Sequence, residues 1–178
     1  MRIEGSGQAD VDTGIGMLDH MIEQLARHGG FDLTVKASGD LSVDSHHTVE
    51  DIGLSLGQAF NEALGDRGGV ARMADRTVPL DEALVQVVLD LSGRPYSEIG
   101  LTFRGAMVGE LPTQMVTHLL QSFAQEARIT LHVRQLAGDN DHHIMEAAFK
   151  ALARAMRDAV TLIESPQSVP STKGTLAS

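Results

Sequence analysis

Two short segments share one pentad. D-S-H-H-T-V-E-D at residues 44–51 and D-N-D-H-H-I-M-E-A at 139–147 each set two adjacent histidines ahead of a glutamate, H-H-x-x-E in both. With 8 His in 178 residues, a shuffled chain carries one such pentad roughly once in fifty, and two far more rarely. Imidazole and carboxylate together bind first-row divalent metals. The chain has no Cys, so any metal must sit on nitrogen and oxygen donors.

Helical geometry tells the members of each pentad apart. Residues four apart share a helix face, so His46 with Glu50 and His142 with Glu146 can each grip one ion. His47 and His143 diverge from them by about 100° and must reach a different ion. At a helix N-terminus the positive end of the dipole favours the neutral imidazole that a metal needs, while the glutamates offset the repulsion of a cation. His20 and His118, 98 positions apart in the numbering, supply one further ligand each. His28, beside Gly29, reads as a helix-end residue, and His132 as a structural residue on the polar face of a strand.

Composition narrows the partners. The formal net charge of −10 argues against nucleic acid, which requires a basic face, and against anionic membrane surfaces. A phosphorylated ligand would need a local cluster of Lys and Arg. No segment reads as a signal peptide or a membrane span, and the lack of cysteine suits a reducing cytoplasm. The expectation is a soluble, cytoplasmic protein with an aliphatic core.

The elements that must hold these histidines follow from periodicity. Residues 8–13 read as a strand and 16–30 as a helix stopped by Gly29-Gly30. Residues 31–43 alternate twice, like a hairpin-like pair of strands. Asp44 or Ser45 then caps a helix with a buried stripe of Ile52, Leu56, Ala59 and Ala63, ended by Gly65. Strands follow over 82–93 and 97–105, a helix over 112–127 and a strand over 128–136. A last helix starts at Asn140 or Asp141 and buries Met145, Phe149, Leu152, Met156 and Ile163.

The order recurs in a near-constant register: Phe31 to Ile129 also spans 98 positions, and His46 to His142 spans 96. That pattern predicts an internal duplication. The expected fold is α+β, one domain of two similar, fused helix/sheet repeats at about 1–80 and 81–165, with a tail at 166–178. The second half holds two strands ahead of its first helix and the first half only one, so a first strand is expected to be missing before Met1.

Segments T-G-I-G-M-L-D-H-M, D-S-H-H-T-V-E-D-I-G, V-P-L-D-E-A-L, D-L-S-G-R-P-Y, D-N-D-H-H-I-M-E-A-A-F-K-A and V-P-S-T-K-G-T-L closely resemble the imidazoleglycerol-phosphate dehydratase family, from about Gly7 to Leu176. The resemblance implies a duplicated α+β sandwich, two Mn²⁺ per active site, and a shell of about 24 subunits whose metal sites join neighbouring chains. It places metal ligation on His20, His46, His47, Glu50, His118, His142, His143 and Glu146. It also matches the family's phosphate-binding positions to Arg72, Arg94, Lys150, Ser171 and Lys173. Family members carry an acidic residue on a strand upstream of the segment matched by R-I-E-G-S-G-Q-A-D, and this sequence starts after it.

The implied reaction removes water from a diol attached to an imidazole ring, with Glu50 or Glu146 as proton shuttles; Asp81 and Glu82 are weaker candidates. Two rival readings remain at this point. A two-metal phosphoesterase would usually add bridging aspartates that these motifs lack, and a metal-cemented shell protein would need no catalysis at all.

Overall fold

The computed structural model describes residues 1–163. Its elements are β1 (Ala9–Asp12), α1 (Gly16–Gly29), β2 (Leu33–Lys36), α2 (His46–Leu64), β3 (Met73–Leu80), β4 (Ala83–Asp90), β5 (Tyr96–Gly100), β6 (Met107–Val108), β7 (Leu111–Pro112), α3 (Thr113–Glu126), β8 (Thr130–Ala137) and α4 (Asp141–Ala159). Strands β3-β4-β8-β5 form one sheet, β1-β2 a second, and β6-β7 a small ribbon. No described helix is long and apolar enough to cross a membrane.

Alternation explains the larger sheet. Ala83, Val85, Val87 and Leu89 of β4 and Leu131 and Val133 of β8 are buried, and they face α4 as a strand of period two must when one side is covered. α3 packs beside β5, α1 packs on α4 and on β1, and α2 packs on α3. The helices therefore lie between the two sheets. α1 ends as the glycine pair requires: Gly30 takes a φ of 71° and its amide bonds the Ala26 carbonyl, a left-handed cap open to glycine at little cost.

The duplication is visible in the pairing. β1 runs parallel to β2, and β5 runs parallel to β8. The larger sheet continues on the far side of β8 with the β3-β4 hairpin, whereas the β1-β2 sheet has two strands in all. Arg2 and Asp32 exchange backbone hydrogen bonds of 2.9 and 3.0 Å in an isolated antiparallel bridge. Asp32 matches Thr130 in the repeat register, and Thr130 pairs with Asp90 of β4. The Arg2 bridge is thus the first-half counterpart of the first β4-β8 rung.

Four expectations need correction. The alternating run 31–43 gives one strand, β2, and no hairpin: its partner is β1, in parallel, because residues 37–45 turn toward α2 instead. The buried face of α2 is rotated toward Val49, Gly53, Gly57 and Phe60, leaving Ala59 half-buried and Ala63 exposed, because the contact with α3 selects small residues. Ile163 lies beyond α4 and is exposed. β3, with its arginine, aspartate and Pro79, has too little apolar alternation to betray it; it is an edge strand, where proline and charge are tolerated. Although it precedes residue 81, β3 is hydrogen-bonded to β4.

The α2-α3 contact is tight where the site needs it. A Cβ on Gly57 would lie 2.5 Å from the Phe123 carbonyl oxygen and 2.8 Å from the Ala127 nitrogen, and one on Gly53 2.9 Å from the Leu119 carbonyl oxygen. Backbone cannot yield as a flexible side-chain tip can. Gly57→Ala is therefore expected to cost about 1–3 kcal/mol through overpacking, read as a lowered denaturation midpoint in urea at unchanged m-value. A neutral result would show that α2 and α3 separate freely.

Candidate metal centre

Helix packing brings the histidines together across the two halves. His20 on α1 lies with His142 and Glu146 on α4, and His118 on α3 lies with His46 and Glu50 on α2; in each trio the ligand atoms fall within 4.8 Å of one another. Each cluster thus takes its i,i+4 pair from one half and its third imidazole from the other. In the first cluster, His20 Nε2 and His142 Nε2 lie 3.2 and 3.1 Å from Glu146 Oε2. In the second, His46 Nε2 is 4.0 Å from Glu50 Oε2 and His118 Nε2 is 3.5 Å from Glu50 Oε1, with the two rings 4.9 Å apart.

Local sequence sets these positions. Asn140 caps α4, its side chain accepting the amides of His142 (3.0 Å) and His143 (3.3 Å). Asp44 Oδ1 accepts the His46 amide at 2.8 Å, a looser version of the same device at α2. Asp19 accepts the backbone amide and hydroxyl of Thr13 at 2.9 and 2.5 Å, which fixes the turn into α1 one residue before His20.

The donor set fits a divalent ion. Two imidazoles and one carboxylate suit manganese, iron or zinc, and three protein ligands leave positions open for further ligands. The Nε2 atom of His118 is buried and makes no hydrogen bond among the described residues; Glu50 is near but misaligned. An orphaned buried nitrogen costs free energy unless something binds it, and a metal is the partner its neighbours suggest. Burial of Glu146 opposes its ionisation, but the Lys150 ammonium, at 2.6 Å, with His20 and His142 overcomes this and holds the carboxyl at about 2.

His47 and His143 point away from the clusters, as their helical offset requires. His143 Nδ1 is 2.8 Å from Glu82 Oε2, and His47 Nδ1 is 3.0 Å from Asp40 Oδ2. The Glu82 contact is the main reason His143 is more basic than an ordinary imidazole, and Asp40 does the same for His47. Glu82 itself is held at about 2 by His143 and then by the Asn140 amide. Asp40 carried no motif that would single it out. Glu82 sits on the β3-β4 turn, and because β3 gave no sequence signal its approach to α4 was invisible.

The expected phosphate-binding residues scatter. Arg72, largely buried, forms a two-point pair with Asp90 at 2.7 and 2.9 Å, and its amide bonds the Ala159 carbonyl at the far end of α4. Arg94 is exposed on the turn before β5, and Lys150 is bound to Glu146 beside the first cluster. Ser171 and Lys173 lie outside the described residues. His28 contacts Gln24 at 3.1 Å, with its basicity lowered by burial and then by Lys150 and Arg154. His132 stacks obliquely on Tyr96, ring centroids 5.6 Å apart.

A duplicated α+β sandwich with two matching His₂Glu clusters at the N-terminal turns of its helices defines the chain as a candidate divalent-metal protein of the enzyme type. Comparison with known proteins gives the particular family. The sequence profile described as imidazoleglycerol-phosphate dehydratase matches residues 13–156. An imidazoleglycerol-phosphate dehydratase from Parafrankia sp. (strain EAN1pec) is 53% identical over 174 residues, covering 98% of this chain and 89% of the relative. One from Methanothermobacter thermautotrophicus is 52% identical over 176 residues, covering 99% and 89%. Among solved structures, the Staphylococcus aureus enzyme superposes with a TM-score of 0.84 at 35% identity, over 89% of this chain and 90% of that one. The Pyrococcus furiosus enzyme in complex with (S)-C348 gives 0.82 at 35%, over 95% and 91%. This chain belongs to the imidazoleglycerol-phosphate dehydratase family.

The raised basicity of His47 and His143 has a measurable result. A proton and a metal compete for the same Nε2, so a group with a pKa above 6.5 begins to lose metal above that pH. Divalent-ion affinity is therefore expected to fall on acidification starting above pH 6.5, measured by Mn²⁺ titration between pH 8 and 6. A flat affinity down to pH 6.5 would remove these two residues from the ligand set.

Proposed function

We propose that this chain is a hydro-lyase that removes water from imidazole glycerol phosphate to give imidazole acetol phosphate, the reaction its family name describes. The observation that carries the reading is the matched pair of His₂Glu clusters within ligand distance, in a chain about half identical to named dehydratases over nearly its whole length. In the reaction one carbon of the glycerol chain loses a proton and its neighbour loses hydroxide, released together as water. The resulting enol tautomerises to the ketone.

His20, His46, His47, Glu50, His118, His142, His143 and Glu146 would hold two ions, Mn²⁺ in this reading. When bound, the ions would supply Lewis acidity that stabilises the substrate's ring as imidazolate, the form that favours loss of the hydroxyl from the attached carbon and so acidifies the proton on the next one. Glu146, ionised down to about pH 2, is built to accept a proton only transiently. Glu50, which meets His46 and His118 among the described residues, is the other candidate for proton transfer. Arg72, Arg94, Lys150, Ser171 and Lys173 would meet the phosphate, as charge-assisted donors do.

Distance supports an assembled site. Arg72 is bonded to Ala159 and His142 stands near the other end of α4, a separation of about 25 Å along the helix. No small phosphorylated substrate spans that. The Arg72 that serves a given metal pair would therefore come from another copy of the chain, in keeping with a shell of about 24 subunits held by shared ions. A phosphoesterase or a purely structural shell draws no support from the named relatives.

Two measurements test this. Water elimination from imidazole glycerol phosphate should be rapid with Mn²⁺ and abolished by chelator. His142→Ala and Arg72→Ala chains, each inactive alone, should regain turnover when mixed, stripped of metal and reassembled with Mn²⁺, because some sites then draw both wild-type residues from different copies. A mixture as inactive as its parts would show that one chain supplies a whole site.

A further inference from the structure

His47 and His143 owe their orientation to two carboxylates that no ligand motif contains. Glu82 reaches His143 from the β3-β4 turn, and Asp40 reaches His47 from the loop before α2. In both contacts the ring nitrogen engaged is Nδ1 and the partner is a carboxylate, which accepts and never donates when ionised. Nδ1 must therefore carry the proton. In the neutral ring Nε2 is then left with its lone pair, the form in which an imidazole ligates a metal.

The two supports are unequal. Glu82 uses both oxygens: Oε2 takes His143, and Oε1 takes the Asn140 amide at 2.9 Å. Asn140 in turn caps the amides of His142 and His143. Glu82, the first turn of α4 and the His143 ring thus form one connected hydrogen-bonded unit. Among the described residues Asp40 has no such anchorage: its side chain meets His47, both groups are exposed, and its loop is tied at that point by the Val43 amide on the Asp40 carbonyl. A ligand whose rotamer is fixed in advance loses less entropy on binding.

We propose that Glu82 and Asp40 are positioning residues that hold His143 and His47 in the Nδ1–H form with Nε2 presented to metal, and that the firmer anchorage of Glu82 makes the ion served by His143 load before the one served by His47. This rests on the metal reading given above. Neither carboxylate touches the ion or the substrate; each acts through its histidine.

The test uses the full chain, stripped with chelator and titrated with Mn²⁺ while free ion is followed by electron paramagnetic resonance. The wild type is expected to bind in two classes of different affinity. In Glu82→Gln a single amide oxygen can accept from Asn140 or from His143 but not from both, so the tighter class should weaken by about 10- to 100-fold with the other unchanged. Asp40→Asn should weaken the looser class and spare the tight one. A ¹⁵N spectrum of the metal-free chain should show His143 protonated at Nδ1 in the wild type and mixed between its nitrogens in Glu82→Gln, a change that a merely structural residue would not cause. Two metal classes retained at wild-type affinity in both variants would overturn the proposal, as would loss of metal together with loss of helical circular dichroism in Glu82→Gln. A wild-type chain that binds no Mn²⁺ would instead refute the metal reading itself.

Discussion

The whole site depends on how closely helix backbones can approach. A metal trio needs its donors within a few ångströms before any ion arrives, and each trio here spans two helices from opposite halves. α2 and α3 meet through Gly53 and Gly57, where an added Cβ would strike the neighbouring backbone. α4 offers Ala147, Ala148, Ala151 and Ala155, all buried, as its own run of small residues. Larger side chains at these positions would move His118 from Glu50, or His20 from Glu146, by more than the tolerance of a coordination bond.

Electrostatics follows from that geometry. An acidic chain attracts cations generally, but the clusters select by donor type and by the cost of leaving buried nitrogen unpaired. Lys150 has a double position in this scheme. It pairs with Glu146, and it is one of the residues proposed to meet the phosphate. Glu146 shares its charge between an ammonium and two imidazoles, whereas Glu50 has imidazoles alone among the described residues. The two halves are similar in fold and different in chemistry.

The duplication also explains where the second half is fuller. β8 is flanked by β4 on one side and β5 on the other; β2 has β1 on one side and, on the other, the single Arg2–Asp32 bridge. A groove of about 470 Å³ runs between β2 and α2, lined by Leu33, Val35, Ile52 and Leu56. In the second half the corresponding ground, beside β8 and under α4, is filled by β4 and β3. Asp40 and His47 line the same groove.

The sequence by itself determined the candidate ligand types, because two H-H-x-x-E pentads with i,i+4 spacing define a donor face on any helix. It determined the duplication, through a register near 98 that no composition effect produces, and most helix bounds, through glycine stops and polar caps. Tertiary structure decided what those local rules do not contain. Which third imidazole joins which pair depends on α1 meeting α4 and α3 meeting α2, contacts between residues 126 positions apart for His20 and Glu146 and 68 for Glu50 and His118. That Glu82 orients His143 depends on β3, an edge strand with too little apolar alternation to be read. Arg72 and the first cluster are separated by the length of α4, a rigid rod of about 25 Å, so their separation became legible only once the Arg72 backbone was seen bonded to the end of that helix.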